Sequence, residues 1–139
     1  MAKEFKGRPV VPGSASAPAL VSQEPLSFWG GYDQHTGEII DRRHHLSGQI
    51  AAGKVFVLPF SKGSSTTTAV LLEAIKSGKA PAAIITTGTD TFFALASIVA
   101  DEMYQTPIPI IALDREEAAQ IETGQTVEIS KDGKVRLAS

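Results

Sequence analysis

Residues 54–78, Lys54-Val-Phe-Val-Leu-Pro-Phe-Ser-Lys-Gly-Ser-Ser-Thr-Thr-Thr-Ala-Val-Leu-Leu-Glu-Ala-Ile-Lys-Ser-Gly78, pass from one periodicity to another. Residues 54–58 form a short apolar run ended by Pro59, the pattern of a strand buried on both faces. A Gly/Ser turn follows. Over residues 66–77, Val70, Leu71, Ala74 and Ile75 share one face of a helix, and Gly78 sits where a C′ glycine belongs. Strand, turn and helix in that order begin a βαβ unit, and the chain downstream completes it. Residues 82–86 and 108–112 read as two further buried strands. Between them, residues 91–104 read as a helix, with Phe92, Leu95, Ala96, Val99 and Met103 as its inward face and Thr89 or Asp90 as its cap. A short third helix begins at Asp114, where Asp-Arg-Glu-Glu117 has capping-box spacing. Residues 126–130 and 134–137 alternate on either side of Asp132-Gly133, a hairpin signal.

Upstream, residues 1–53 are rich in Gly, Pro and Ser. Their short apolar runs (Val10-Val11, Ala19-Leu-Val21, Phe28-Trp29, Ile39-Ile40) read as short strands or ordered loops. The chain therefore reads as one α/β domain over residues 1–139, a β-rich N-terminal half followed by a right-handed βαβαβ section. Its 139 residues suffice for a core without disulfides or a structural metal. With 42% hydrophobic and 20% charged residues, wholesale disorder is excluded. A net charge of -2, from 13 basic and 15 acidic side chains, gives no reason to expect nucleic acid or an anionic membrane as partner. The absence of cysteine excludes disulfides, a thiolate nucleophile, and any metal site ligated by this chain's own sulfurs. The opening Met-Ala-Lys-Glu-Phe-Lys-Gly-Arg-Pro lacks an apolar signal core, and no apolar run approaches about 18 residues. A cytoplasmic location is the expectation.

The strongest local chemistry lies at residues 59–66. Free N–H groups at a helix start attract a carboxylate or phosphate, Gly63 admits close backbone approach, Ser64 or Ser65 offers a hydroxyl, and Lys62 a cation. This is not a Walker A loop, because Lys62 precedes the glycine. The same features also describe an ordinary helix cap. Thr87-Gly-Thr-Asp90 repeats the design at the next junction, which in a parallel sheet lies at the same edge, and there Asp90 reads first as a cap. Asp33, His35, Asp41, His44 and His45 cluster in sequence, but without metal-ligand spacing. Adjacent His44 and His45 would point to opposite sides of a strand, so no metal is assigned. Phe28-Trp29 reads as core packing or a partner-facing pair, and Arg42-Arg-His-His45 as a solvated turn. No Ser-His-Asp set can be assembled.

The run Pro25-Leu-Ser-Phe-Trp-Gly-Gly-Tyr-Asp-Gln-His-Thr-Gly-Glu-Ile-Ile-Asp-Arg-Arg-His44 resembles the hallmark segment of the aconitase X swivel domain. The likeness continues through Gly13, Ala19-Leu-Val21, Gly53-Lys-Val55, Pro59, Lys62-Gly-Ser64, Val70-Leu-Leu-Glu-Ala-Ile75 and Ile108-Pro109, nearly the whole chain. The resemblance implies a swivelling β/β/α fold. It also implies the role of a small subunit in a hydro-lyase, acting on phosphomevalonate or cis-3-hydroxy-L-proline and inactive alone. A cysteine-bearing large subunit would carry the iron or iron–sulfur centre, and this chain would bind no cofactor. The family's serine base follows the glycine of a Gly-Ser-(Ser/Cys/Thr) motif and maps onto Ser64, with Ser65 the lesser candidate. Lys62, Gly63 and Ser65 would bind substrate; Gly30, Gly31, Asp33, Asp41 and His44 would orient groups at the closed interface. Lys62, the one cation in the loop, favours the hydroxyproline branch.

The chain departs from the family at one point. Relatives commonly carry a glycine where Thr67 stands, so a β-branched side chain is added near the site. That departure motivates an alternative, a stand-alone binding module for small anions or carboxylates that has lost its partner. A phosphohistidine carrier using His44 or His45 lacks the glycine-rich context such histidines have.

Overall fold

The computed structural model describes residues 3–62 and 65–138. Gly63 and Ser64 thus lie outside the described residues, and Ser65 is described only as the first residue of a helix. Among the described residues the elements run β1 (Lys3–Lys6), β2 (Arg8–Val11), β3 (Ala15–Val21), β4 (Val55–Leu58), α1 (Ser65–Lys76), β5 (Ala83–Thr86), α2 (Thr91–Tyr104), β6 (Ile110–Ala112), α3 (Arg115–Ala118), β7 (Thr126–Ile129) and β8 (Lys134–Leu137). No helix among them is long and apolar enough to cross a membrane.

The strand order is β1-β8-β7-β3-β4-β5-β6-β2. Strands β3 to β6 are parallel neighbours; helices α1 and α2 make the crossovers from β4 to β5 and from β5 to β6, and the irregular segment 22–54 joins β3 to β4. β3 belongs to both halves: Ala15 to Pro18 pair antiparallel with β7, and Ala19 to Val21 pair parallel with β4. At this crease the sheet folds over itself and gives two cores. Val55, Val57, Ala83, Ile85 and Ile111 cluster with Phe5, Val127, Val135 and Leu137 of the antiparallel strands. Phe56, Leu58, Ile84 and Ile110 cluster with Val70, Leu71, Ala74, Phe93, Ala96 and Ala100 of the helices. Alternate residues of β4 thus feed opposite cores, which is why residues 55–58 are apolar without interruption. The layers are β, β and α, the swivel architecture. Strands β1 and β2 stand at opposite ends of the strand order, yet only Gly7 separates them in sequence. The folded sheet brings its two ends together, and a Cβ at Gly7 would press into Ile111, Leu113 and the Gly133 carbonyl.

Helix α1 buries the expected face, and Gly78 beyond it takes a φ of 74°, as a C′ glycine does. Asp90 caps α2, whose bounds are those expected from the sequence, but its face is corrected. Phe93, Ala94, Ala96, Ser97 and Ala100 are buried, whereas Leu95, Ile98 and Met103 are exposed. The helix is apolar nearly all round, so periodicity alone does not select a face. The small residues turn inward because they let α2 approach closely, and Ser97 Oγ bonds both the N–H and the C=O of Ile108. At α3 Asp114 is the N-cap residue, but its side chain makes no cap bond, so the expected capping box is not formed.

Candidate active-site cleft

Parallel β4 and β5 end side by side, so both βα junctions open at one edge, as the sequence implied. They are laced together. Thr87 donates to the Pro59 carbonyl through its N–H (3.2 Å) and its hydroxyl (3.1 Å), and Thr68 Oγ1 of α1 donates to the Phe92 carbonyl of α2 (3.0 Å). The segment from Ser22 to Lys54, which has no regular strand, arches from this edge, where Leu26 bridges Ser61, to the far end of α1, where the Gly53 N–H bonds the Ala80 carbonyl. Its anchor is Phe28, fully buried, stacked on Tyr32 at 4.7 Å and edge-on to Phe93 of α2 at 5.0 Å. The Tyr32 hydroxyl donates to the Lys79 carbonyl (2.7 Å), and burial pushes its pKa well above the ordinary phenol value. The aromatic pair of the sequence is therefore divided: Phe28 is core, and Trp29 is 70% exposed.

Gly30-Gly31 follows. Gly30 has a φ of 76°, and a Cβ on Gly31 would overlap the Ser27 carbonyl oxygen. These two glycines are thus required by the turn itself. The turn brings Leu26 beside Ser61 as a parallel bridge, and Lys62 N–H donates to the Leu26 carbonyl (2.9 Å). An open cleft of about 720 Å³ lies along this seam, lined by Glu24, Pro25, Ser27, Asp41, Arg43, His44 and Lys62.

Of the residues singled out in the sequence, Lys62, Asp41 and His44 meet at this cleft. Asp33 is not among its lining residues. It accepts from the His35 N–H (2.8 Å) within its own turn, and that bond foremost holds its carboxyl below the usual range. Thr67 is buried in the first turn of α1, and its hydroxyl has no partner among the described residues. Glu24, Ser27 and Arg43 were missed. They come from irregular backbone, where spacing carries no signal; Ser27 and Arg43 fall inside the run 25–44 and Glu24 directly before it, but nothing in their residue types sets them apart there.

His44 and His45 also require a correction. They lie in a turn rather than a strand, and their rings stack at 4.9 Å instead of pointing apart. His44, 5% exposed, accepts the Leu46 N–H at Nδ1 (3.1 Å), which puts its ring hydrogen on Nε2, facing Ser22 Oγ (3.2 Å) and Glu24 Oε1 (3.6 Å). His45 accepts the Gln23 N–H at Nε2 (3.1 Å), while its backbone N–H donates to Glu24 Oε1 (3.1 Å). Ser22 Oγ donates to the Glu24 carbonyl. Ligand atoms of Glu24, His44 and His45 lie within 4.8 Å of one another, close enough for a metal ion. The donor pattern does not fit one. A metal-bound imidazole donates its second N–H outward, but His44 Nδ1 faces a donor, and the His45 Nε2 lone pair is already taken. The group is a hydrogen-bonded knot joining residues 22–24 to residues 44–46. It also leaves His44 no free nitrogen for a carried phosphate.

Comparison with known proteins places the chain among relatives. Residues 4–137 match the family model described as the aconitase X swivel domain. The chain is 45% identical over 106 residues to the cis-3-hydroxy-L-proline dehydratase of Pseudomonas aeruginosa, covering 76% of this chain and 18% of that protein. It is 38% identical over 129 residues to the phosphomevalonate dehydratase small subunit of Thermococcus onnurineus, covering 93% of each. A chain in the crystal structure of Thermococcus kodakaraensis aconitase X (holo-form) superposes with a TM-score of 0.88 at 35% identity, covering 99% of both chains. This chain therefore spans less than a fifth of the length of the hydroxyproline enzyme and nearly all of the small subunit.

Proposed function

The chain belongs to the aconitase X swivel domain family, and from that premise we propose that it is the swivel half of a hydro-lyase, working with a metal-bearing large subunit on a small hydroxy acid. One observation carries the reading. Helix α1 begins one residue after Ser64, has no acidic residue in its first turn, and follows Lys62 at the cleft wall. A serine hydroxyl is a poor base unless its alkoxide is stabilised, and an uncompensated helix N-terminus with a neighbouring cation does that. In this reading Ser64 takes the proton from the substrate carbon, the C–H electrons form the new double bond, and the hydroxyl leaves with the C–O electrons as hydroxide; the proton Ser64 has gained balances it, so that the net loss is one water. An iron or iron–sulfur centre of the large subunit would polarise the departing hydroxyl. Lys62, Gly63 and Ser65 hold the substrate's carboxylate end.

The cleft favours an imino acid as substrate. Its lining carries both signs, Lys62 and Arg43 together with Glu24 and Asp41, which suits a zwitterion, whereas carboxylates beside a phosphate would repel it. The rim suits a partner. Trp29 (70% exposed), Phe60 (53%) and Ile40 (41%) each lie within two residues of a lining side chain, and the large subunit would cover them.

The test is copurification with the large subunit, then assay of both substrates with iron supplied. The isolated chain should be inactive and the complex should dehydrate cis-3-hydroxy-L-proline. Ser64→Ala should lower kcat about 100- to 10,000-fold, the usual contribution of an acid–base group, without unfolding the chain. Near-normal turnover in that variant overturns the serine assignment; preference for phosphomevalonate overturns the substrate.

A further inference from the structure

Asp90 uses its two carboxylate oxygens for different purposes. Oδ1 accepts the Phe92 and Phe93 N–H groups (3.1 Å each), which caps α2. Oδ2 accepts both the N–H and the hydroxyl of Ser61, each at 2.7 Å. A cap needs only one oxygen, and Ser or Asn supplies it as well as Asp does. The second oxygen instead reaches the neighbouring junction, two residues upstream of Gly63. Both residues are buried, Asp90 7% and Ser61 9% exposed. Four donors and the positive end of α2 meet the carboxylate there.

The same segment is held from its other side. The Lys62 N–H bonds the Leu26 carbonyl, Leu26 bridges Ser61, and Pro59 O is held twice by Thr87. The chain between the last residue of β4 and the first of α1 is therefore pinned at residues 59, 61 and 62, each to a different neighbour. Asp90 is not among the residues lining the cleft, and its direct bond to the strand end that leads to Lys62 is the one to Ser61.

We propose that Asp90 is a positioning residue. Its clasp on Ser61 holds the stem of the loop and so sets where Lys62 stands at the cleft; the inference rests on the reading of that loop as the catalytic one. A carboxylate that only capped α2 would make a different prediction. Asp90→Asn keeps the cap but presents an amide nitrogen to the Ser61 N–H. Ser61→Ala removes one bond and leaves the cap alone.

The experiment measures kcat and KM in the assembled enzyme, with amide hydrogen exchange at Ser61 and Lys62 in the full chain. Asp90→Asn should lower kcat about tenfold or more while KM moves little, since small misplacements of reacting groups are costly. Ser61→Ala should lower kcat about threefold, and the double variant should fall no further than Asp90→Asn alone, as expected of one device. Ser61 should lose exchange protection in Asp90→Asn. Unchanged kcat together with lost protection, or a lowered Tm with unchanged kcat, overturns the proposal. Ser64→Ala is run beside these variants. If it retains full turnover, the serine reading fails separately. A kcat loss in Asp90→Asn then still supports the clasp, through Lys62, and an unchanged kcat still overturns it.

Discussion

The βαβαβ frame and the segment from Ser22 to Lys54 meet at the cleft, and they are held by different means. In the frame, ladders pair β3 to β6 and two apolar clusters fill both faces of the sheet. In the arching segment the paired residues are isolated bridges, Leu26 with Ser61, Tyr32 with Ile39 and Glu38 with Ile50. Its backbone bonds are scattered turn contacts, such as Ile39 N–H to the Gln49 carbonyl and Ala51 N–H to the Gly37 carbonyl, and its side chains are fastened by one aromatic plug, a glycine turn and the knot of Ser22, Glu24, His44 and His45. A frame built of repeated bonds tolerates the loss of any one; a segment built of single devices does not. The cleft takes one wall from each, so its shape depends on the less redundant region.

Three measurements test that contrast. The largest effect should come from Phe28→Ala. Truncating a fully buried phenylalanine costs about 3–5 kcal/mol, read by urea denaturation, and here the loss should fall on the arching segment, with exchange protection at Tyr32 and Ile39 failing before that of β4 and β5. A cost no larger than that of an exposed substitution would mean the hydrogen bonds alone hold the segment. His44→Ala should cost less, about 1–3 kcal/mol, because the Leu46 N–H loses its acceptor in a buried place. Its signature is faster exchange at Leu46 with little change in α2; unchanged exchange would remove the knot from the account. The smallest effect is at alkaline pH. The folded pKa of Tyr32 is raised above its ordinary 10.0, so the unfolded chain loses this proton first. Stability is full below that value and declines as pH rises past it. Tyr32→Phe should flatten this decline, at a cost of about 1 kcal/mol for the Lys79 bond. An unchanged alkaline slope would show that Tyr32 is not the titrating group.

The same contrast explains what could be read beforehand. The frame was legible because its residues repeat: β4, β5, α1 and the β7–β8 hairpin each carry a period or a turn signal. α2 was legible in extent but not in orientation, since Leu95 and Met103 are as apolar as the residues that face inward, and only packing against Phe28 and Ile108 selects Phe93 and Ser97. In the arching segment the resemblance identified the residues, but pattern could not place them. Asp41 and His44 reach the cleft and Asp33 does not, and nothing in their spacing distinguishes them. The stacking of His44 on His45 follows from a turn that composition does not announce. The Asp90–Ser61 bond joins residues 29 apart through two adjacent strand ends, a relation visible only once the strand order is known.

The Gly7 junction has a consequence for how such a chain is made. β1 is made well before its partner β8, and β2 before its partner β6. Until those partners are made, β1 and β2 have no ladder to join, so the two strands that meet at Gly7 are set by contacts that span most of the chain.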